Sequence, residues 1–179
     1  MTPQDILKFW FEELTPDMHF AKSAELDQNI RNRFLEIHTR TIEGGTKDWR
    51  KTPEGRLAEI IVLDQFSRNM FRDTPLAFAY DALALDCAKA AVKAGEDQKL
   101  PLEQRTFLYM PYMHSESREV HAQAVKLFSQ KGLESSLKFE LKHKEIIDRF
   151  GRYPHRNEVL KRTSTKEEIE FLKNEDSSF

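Results

Sequence analysis

A chain of 179 residues is long enough for one complete hydrophobic core, and its 28 Lys and Arg against 30 Asp and Glu leave a formal net charge of -2, too little to draw it to nucleic acid or an anionic membrane surface. The single cysteine, Cys87, excludes an internal disulfide and any multi-cysteine zinc or iron-sulfur site, which fits a reducing, cytoplasmic setting. Thirteen Phe among 39% hydrophobic residues predict an interior built on aromatic rings, with a mean hydropathy of -0.65 reflecting a heavily charged exterior.

The chain is read as one soluble domain over residues 1–179. Its start, MTPQDILKFWFEEL, reads as a capped helix rather than a signal peptide, because acidic residues interrupt the apolar ones, and no stretch has the roughly 20 apolar residues of a membrane span. Thr2 with Pro3 opens this first helix, which stops near Pro16. Ser23 caps a second, with Leu26, Ile30, Phe34, Ile37 and Thr41 on one face and Gly44 and Gly45 at its end. Thr52 with Pro53 opens a third reaching Phe71, and Thr74 with Pro75 a fourth reaching about Lys93, before Gly95.

Pro101 starts a fifth helix that Pro111 is expected to kink or end. Ser115 or Ser117 caps a sixth running to Gly132, and a seventh spans Leu133 to Phe150 with Gly151 after it. A brief helix is expected from Asn157, then a last one through Ile169, Phe171 and Leu172 with a Ser164/Glu167 capping box, and a frayed tail NEDSSF. No segment alternates like a strand, so the fold class is all-α, with antiparallel helix pairs stacked as a degenerate helical repeat or closed into an irregular bundle.

Polar residues in apolar positions mark the candidate site. Asp64 and Arg68 fall in line with Leu57, Ile60, Ile61 and Phe71, one turn apart. They read either as a structural ion pair or, with Asn69 and Arg72, as one wall of a ligand pocket. The turn GRYPHRN supplies a second wall of Arg152, His155, Arg156 and Asn157, where guanidinium forks and the amides of a following helix suit phosphate or carboxylate. The alternative is that these arginines pair with acidic residues of neighbouring helices. A third cluster, YMPYMHSE, adds His114 and Glu116, and His114 or His155 with Glu116 are the candidate proton-transfer groups.

The ligand set expected is therefore Arg68, Asn69, Arg72, His114, Glu116, Arg152, His155, Arg156 and Asn157, and the partner an anionic small molecule or a peptide held in a helical-repeat groove. No cofactor or metal is called for. Glu140 and His143 have the spacing used in two-metal bundles, but only one copy is present where two are needed. Whether the protein is an enzyme, and its oligomeric state, are left open.

Three blocks, LDQFSRNMFRDTPLAFAYDALAL, FLYMPYMHSES and IIDRFGRYPHRNEVLKRTSTKEEIEFL, closely resemble those of a widespread bacterial family of unknown function, DUF 924. The resemblance runs from about Leu57 to Leu172 and implies an all-helical fold of the tetratricopeptide-like superfamily, with no agreed activity, cofactor or substrate. Where that family has proline in LDQFPRN, this chain has Ser67.

Overall fold

In the computed structural model of the chain, which describes residues 1–174 and residue 177, small polar side chains start helices by accepting otherwise unpaired amides. Thr2 and Asp5 form a reciprocal capping box ahead of α1, Pro3–Lys8, which winds on through a π turn, Phe9–Glu13. Ser23 caps α2, Ala24–Ile42, and Thr52 caps α3, Pro53–Ile61, which continues through a second π turn, Val62–Phe66, into α4, Ser67–Met70. Then come α5, Asp81–Lys93, α6, Leu102–Met113, α7, Arg118–Phe128, α8, Glu134–Phe150, and α9, Lys166–Phe171. The fold is all-helical, with no strand among the described residues.

Several expected boundaries move, each for a local reason. Thr74–Pro75 opens only a 3-10 turn, Pro75–Ala77, and α5 begins six residues after Pro75, at Asp81. Pro111 sits inside α6 rather than breaking it. It has no N–H to give, and the helix runs only two residues further, to Met113. No helix follows Asn157: the turn Pro154–Arg156 is a single 3-10 turn, and the next amides bond back locally, Leu160 N–H to Arg156 O and Arg162 N–H to Asn157 O. The last capping box lies one residue on, at Thr165 and Glu168. The fraying expected of the tail falls, at 175, 176, 178 and 179, outside the described residues.

The chain divides into two units. The first, Met1–Arg72 with Leu76–Pro111, has an aromatic core. Phe9 and Phe66 each pack a tilted ring on Phe34 with centroids 4.7 Å apart, and Trp10 meets Phe107 edge-on at 5.6 Å. Here α2 runs antiparallel to α3–α4, as Asp27 meets Arg72, Arg31 meets Met70 O and His38 meets Ser67. Gly55 is the tightest point. A Cβ there would lie 1.9 Å from Trp49 O, so α3 comes this close to the Lys47–Lys51 turn only because the residue has no side chain. Gly55→Ala is expected to cost about 2–3 kcal/mol by backbone displacement, read as a lower urea midpoint.

The second unit comprises Asp73–Pro75 and the chain from Tyr112 onward. Its α7 and α8 pack antiparallel, because Arg118 reaches Asp148 O while His121, one turn on, reaches Glu140. Gly151 at φ 71° ends α8 in the left-handed conformation and turns the chain into Tyr153, which packs on Ile146 and Ile147. No helix is long and apolar enough to cross a membrane among the described residues.

Candidate functional site

Of the expected ligand residues, Arg68, Asn69 and Arg72 lie together on α4 and its end in the first unit. Asp64, fully buried, accepts from Arg68 at 3.0 Å, and the same guanidinium takes Asp81 through two bonds of 2.9 and 3.1 Å. Gln65 donates to the other Asp64 oxygen at 2.6 Å. Asn69 and Arg72 converge on Asp27 of α2, at 2.8 Å for the amide and 2.5 and 2.8 Å for the guanidinium fork. Within this unit the residues therefore act as ties between helices.

Ser67 shows what a hydroxyl does at the position where the resemblance implies proline. It donates to Leu63 O at 2.6 Å, so it can only accept from His38 Nε2 at 2.8 Å, and this assigns the His38 proton to Nε2. Burial pushes the His38 imidazole down to about 4. The pair is no nucleophile and base, since the Ser67 proton already belongs to a carbonyl and the hydroxyl is fully buried. Cys87 is inert as well: burial beside the Glu59 carboxylate pushes its thiol up to about 12.

The other six candidates gather in the second unit, around two carboxylates. Glu168, 2% exposed, accepts from Arg152 at 2.7 and 2.8 Å, from Thr165 N–H at 2.7 Å and from Asn157 at 3.4 Å. The Arg152 fork, with those amides, holds its carboxyl at about 2. Glu116 accepts from Tyr153 N–H at 2.7 Å and from a fork on Arg162 at 2.7 and 3.0 Å. Burial alone would raise the Glu116 carboxyl, but the Arg162 fork and the Tyr153 amide outweigh it and leave it below the usual carboxylate range, which removes it as a neutral-pH proton donor. Arg156 lies over the Tyr153 ring at 4.6 Å and donates to His114 O at 3.0 Å, while His155 rests against the same ring with centroids 5.5 Å apart. Asn157 caps no helix. It is buried and joins the segments instead, accepting from Arg162 Nε at 2.9 Å and donating to Ser164 at 3.0 Å.

Sequence reasoning missed Arg162 and Glu168. Both lie in KRTSTKEEIE, where the Thr165/Glu168 spacing was available as a signal but the neighbouring Ser164/Glu167 pair has the same form. It named His155 and the Glu140/His143 spacing but did not pair Glu140 with His121. His121 gives Nε2–H to Ser115 O at 2.8 Å and turns Nδ1 to Glu140 at 2.7 Å, both side chains being fully buried. The second Glu140 oxygen has no hydrogen-bond partner among the described residues, and burial raises this carboxyl against the pull of His121. His143 spends Nδ1 on Phe139 O at 2.7 Å, and burial with the nearby His114, His121 and His155 pushes it down to about 3. Among the described residues no group of three or more His, Cys, Asp or Glu is disposed to hold a metal ion.

An all-helical chain whose polar centres are built from guanidinium forks on carboxylates defines a structural class without a reaction. The family described as a bacterial protein of unknown function, DUF924, matches over residues 6–176, and the chain belongs to it. It is also similar to a solved structure of a protein of unknown function, ATU0120, from Agrobacterium tumefaciens, at 36% identity and a TM-score of 0.90, over 95% of this chain and 96% of that one. No curated protein matches the chain.

Proposed function

We propose that this protein binds a small anionic molecule, through its carboxylate or phosphate group, at the arginine-bearing turn of the second unit. The observation that supports this reading is how the turn treats oxyanions it already meets: Glu116 and Glu168 are each held by a two-pronged guanidinium and a backbone N–H. Such donor sets match planar and tetrahedral oxyanions alike. Arg152 and Arg162 keep 29% and 23% of their side chains exposed, so solution anions can reach them. A peptide carboxylate offers the same chemistry, and α9 is itself a short helix presenting a glutamate to Arg152.

Native mass spectrometry of the freshly purified protein, then thermal unfolding with inorganic phosphate, succinate and carboxylate-ended peptides at matched ionic strength, tests the reading. A ligand at 100 times its Kd adds about 2.7 kcal/mol, which for a chain of this size raises Tm by roughly 5–10 °C. Arg152→Gln, which removes the fork that holds Glu168, is expected to abolish that rise. A midpoint indifferent to every anion, or one that rises equally in Arg152→Gln, overturns the proposal, and a rise with peptides alone transfers it to a protein partner.

A further inference from the structure

The helix α9 has an anchorage unlike that of the others. It is six residues long, forms no extended seam with another helix among the described residues, and leaves Ile169 52% exposed. Two side chains hold it. Glu168 enters the fork of Arg152, and Phe171 rests on Phe150 at 5.0 Å, beside the Ile146, Ile147 and Tyr153 cluster. Arg149 adds an exposed pair with Glu167 at 2.8 Å and lies over the Phe171 ring at 5.9 Å, while ahead of the helix Arg152 donates to Thr163 O at 2.9 Å and Asn157 to Ser164 at 3.0 Å. Exposed ion pairs hold little. The anchor carboxylate, in contrast, occupies donors that would otherwise receive a ligand.

We propose that the segment from Thr163 to Phe171 is a strap that fills the oxyanion site with the chain's own Glu168, and that an external carboxylate or phosphate binds Arg152 and Asn157 by displacing it. The proposal rests on the anion-binding reading above and adds how that site is regulated. Because the Arg152 fork keeps Glu168 ionised down to about pH 2, acid does not open the strap in the working range, and a competing anion does. The apparent affinity of the closed protein is then the intrinsic affinity scaled by the fraction with the strap lifted. Because the bonds to Thr163 O and Ser164 come from the same Arg152 and Asn157 that hold Glu168, loss of the Glu168 or Phe171 anchor by a single substitution adjusts that fraction, and the short helix, with Ile169 exposed, suits it to local release.

The test compares wild type, Glu168→Ala and Phe171→Ala, with inorganic phosphate and succinate as titrants followed by calorimetry. Hydrogen exchange is measured over 152–157 and 163–172. Glu168→Ala is expected to tighten anion binding by about tenfold or more, and Phe171→Ala, which leaves every charge in place, by about threefold or more. In wild type, saturating phosphate is expected to speed exchange in 163–172 while 152–157 stays protected. Tighter binding in Glu168→Ala alone marks simple charge removal and overturns the strap. Equal affinity in all three proteins, or no change of exchange in 163–172, overturns the strap and leaves the anion-binding reading standing. Absence of binding in all three, including the variant with its fork vacated, overturns both.

Discussion

Lowering the pH from 7 to 4 is expected to remove about 6 kcal/mol of stability, mostly through two buried histidines. His38, 1% exposed, and His143, 6% exposed, hold imidazoles pushed down to about 4 and about 3, whereas an unfolded histidine titrates near 6.5. Between those values the unfolded chain binds more protons than the folded one. Stability is therefore complete above about pH 6.5 and declines as the pH falls toward the folded values. Since pH 4 lies about 2.5 units below the unfolded histidine value, each group removes about 3 kcal/mol at about 1.36 kcal/mol per unit. Glu168, held at about 2, adds to the loss below the ordinary glutamate value of 4.5, while Glu140, raised by burial, works in the opposite direction. Since small proteins hold about 5–15 kcal/mol in all, urea midpoints at pH 7, 5.5 and 4 should fall steeply. His143→Gln should flatten the slope by up to one proton. Midpoints constant across this range contradict the account.

Removing one member of the His121–Glu140 pair is expected to be the most costly single polar substitution in the second unit. Both side chains are fully excluded from solvent, and one Glu140 oxygen has no other hydrogen-bond partner among the described residues. His121→Leu leaves that carboxyl in an apolar interior without a hydrogen-bond partner, and breaking a buried pair in this way costs about 3–5 kcal/mol. The same change also frees Ser115 O, which His121 Nε2–H satisfies. The double variant His121→Leu with Glu140→Leu should recover at least half of the loss, because a well-packed apolar pair replaces a buried polar one at little net cost. Urea unfolding of the two single variants and the double gives the coupling directly. A double variant as unstable as the sum of the singles removes the pair as the cause.

How far the chain could be read without coordinates depended on the range of the interactions involved. Along α2, Ser23 caps the start and Leu26, Ile30, Phe34, Ile37 and Thr41 are all buried, because cap and stripe are set by neighbours within four residues. The Asp64–Arg68 pair was legible for the same reason, lying at i and i+4. Its further partner Asp81 was not, since it comes 13 residues later, beyond a turn whose course the Thr74–Pro75 dipeptide misstated. Likewise GRYPHRN announced a turn rich in guanidinium groups, but Glu168 and Glu116 reach it from 16 residues beyond Arg152 and 37 residues before Tyr153.

What the sequence by itself determined is the helical class, most helix starts and the places where charge intrudes on an apolar face. These follow from caps, periodicity and left-handed glycines, whose physics acts over one turn of chain. Only the tertiary structure decided which carboxylate each arginine takes. A guanidinium fork accepts any carboxylate or phosphate with similar geometry, so the choice falls to whichever one folding brings within about 3 Å.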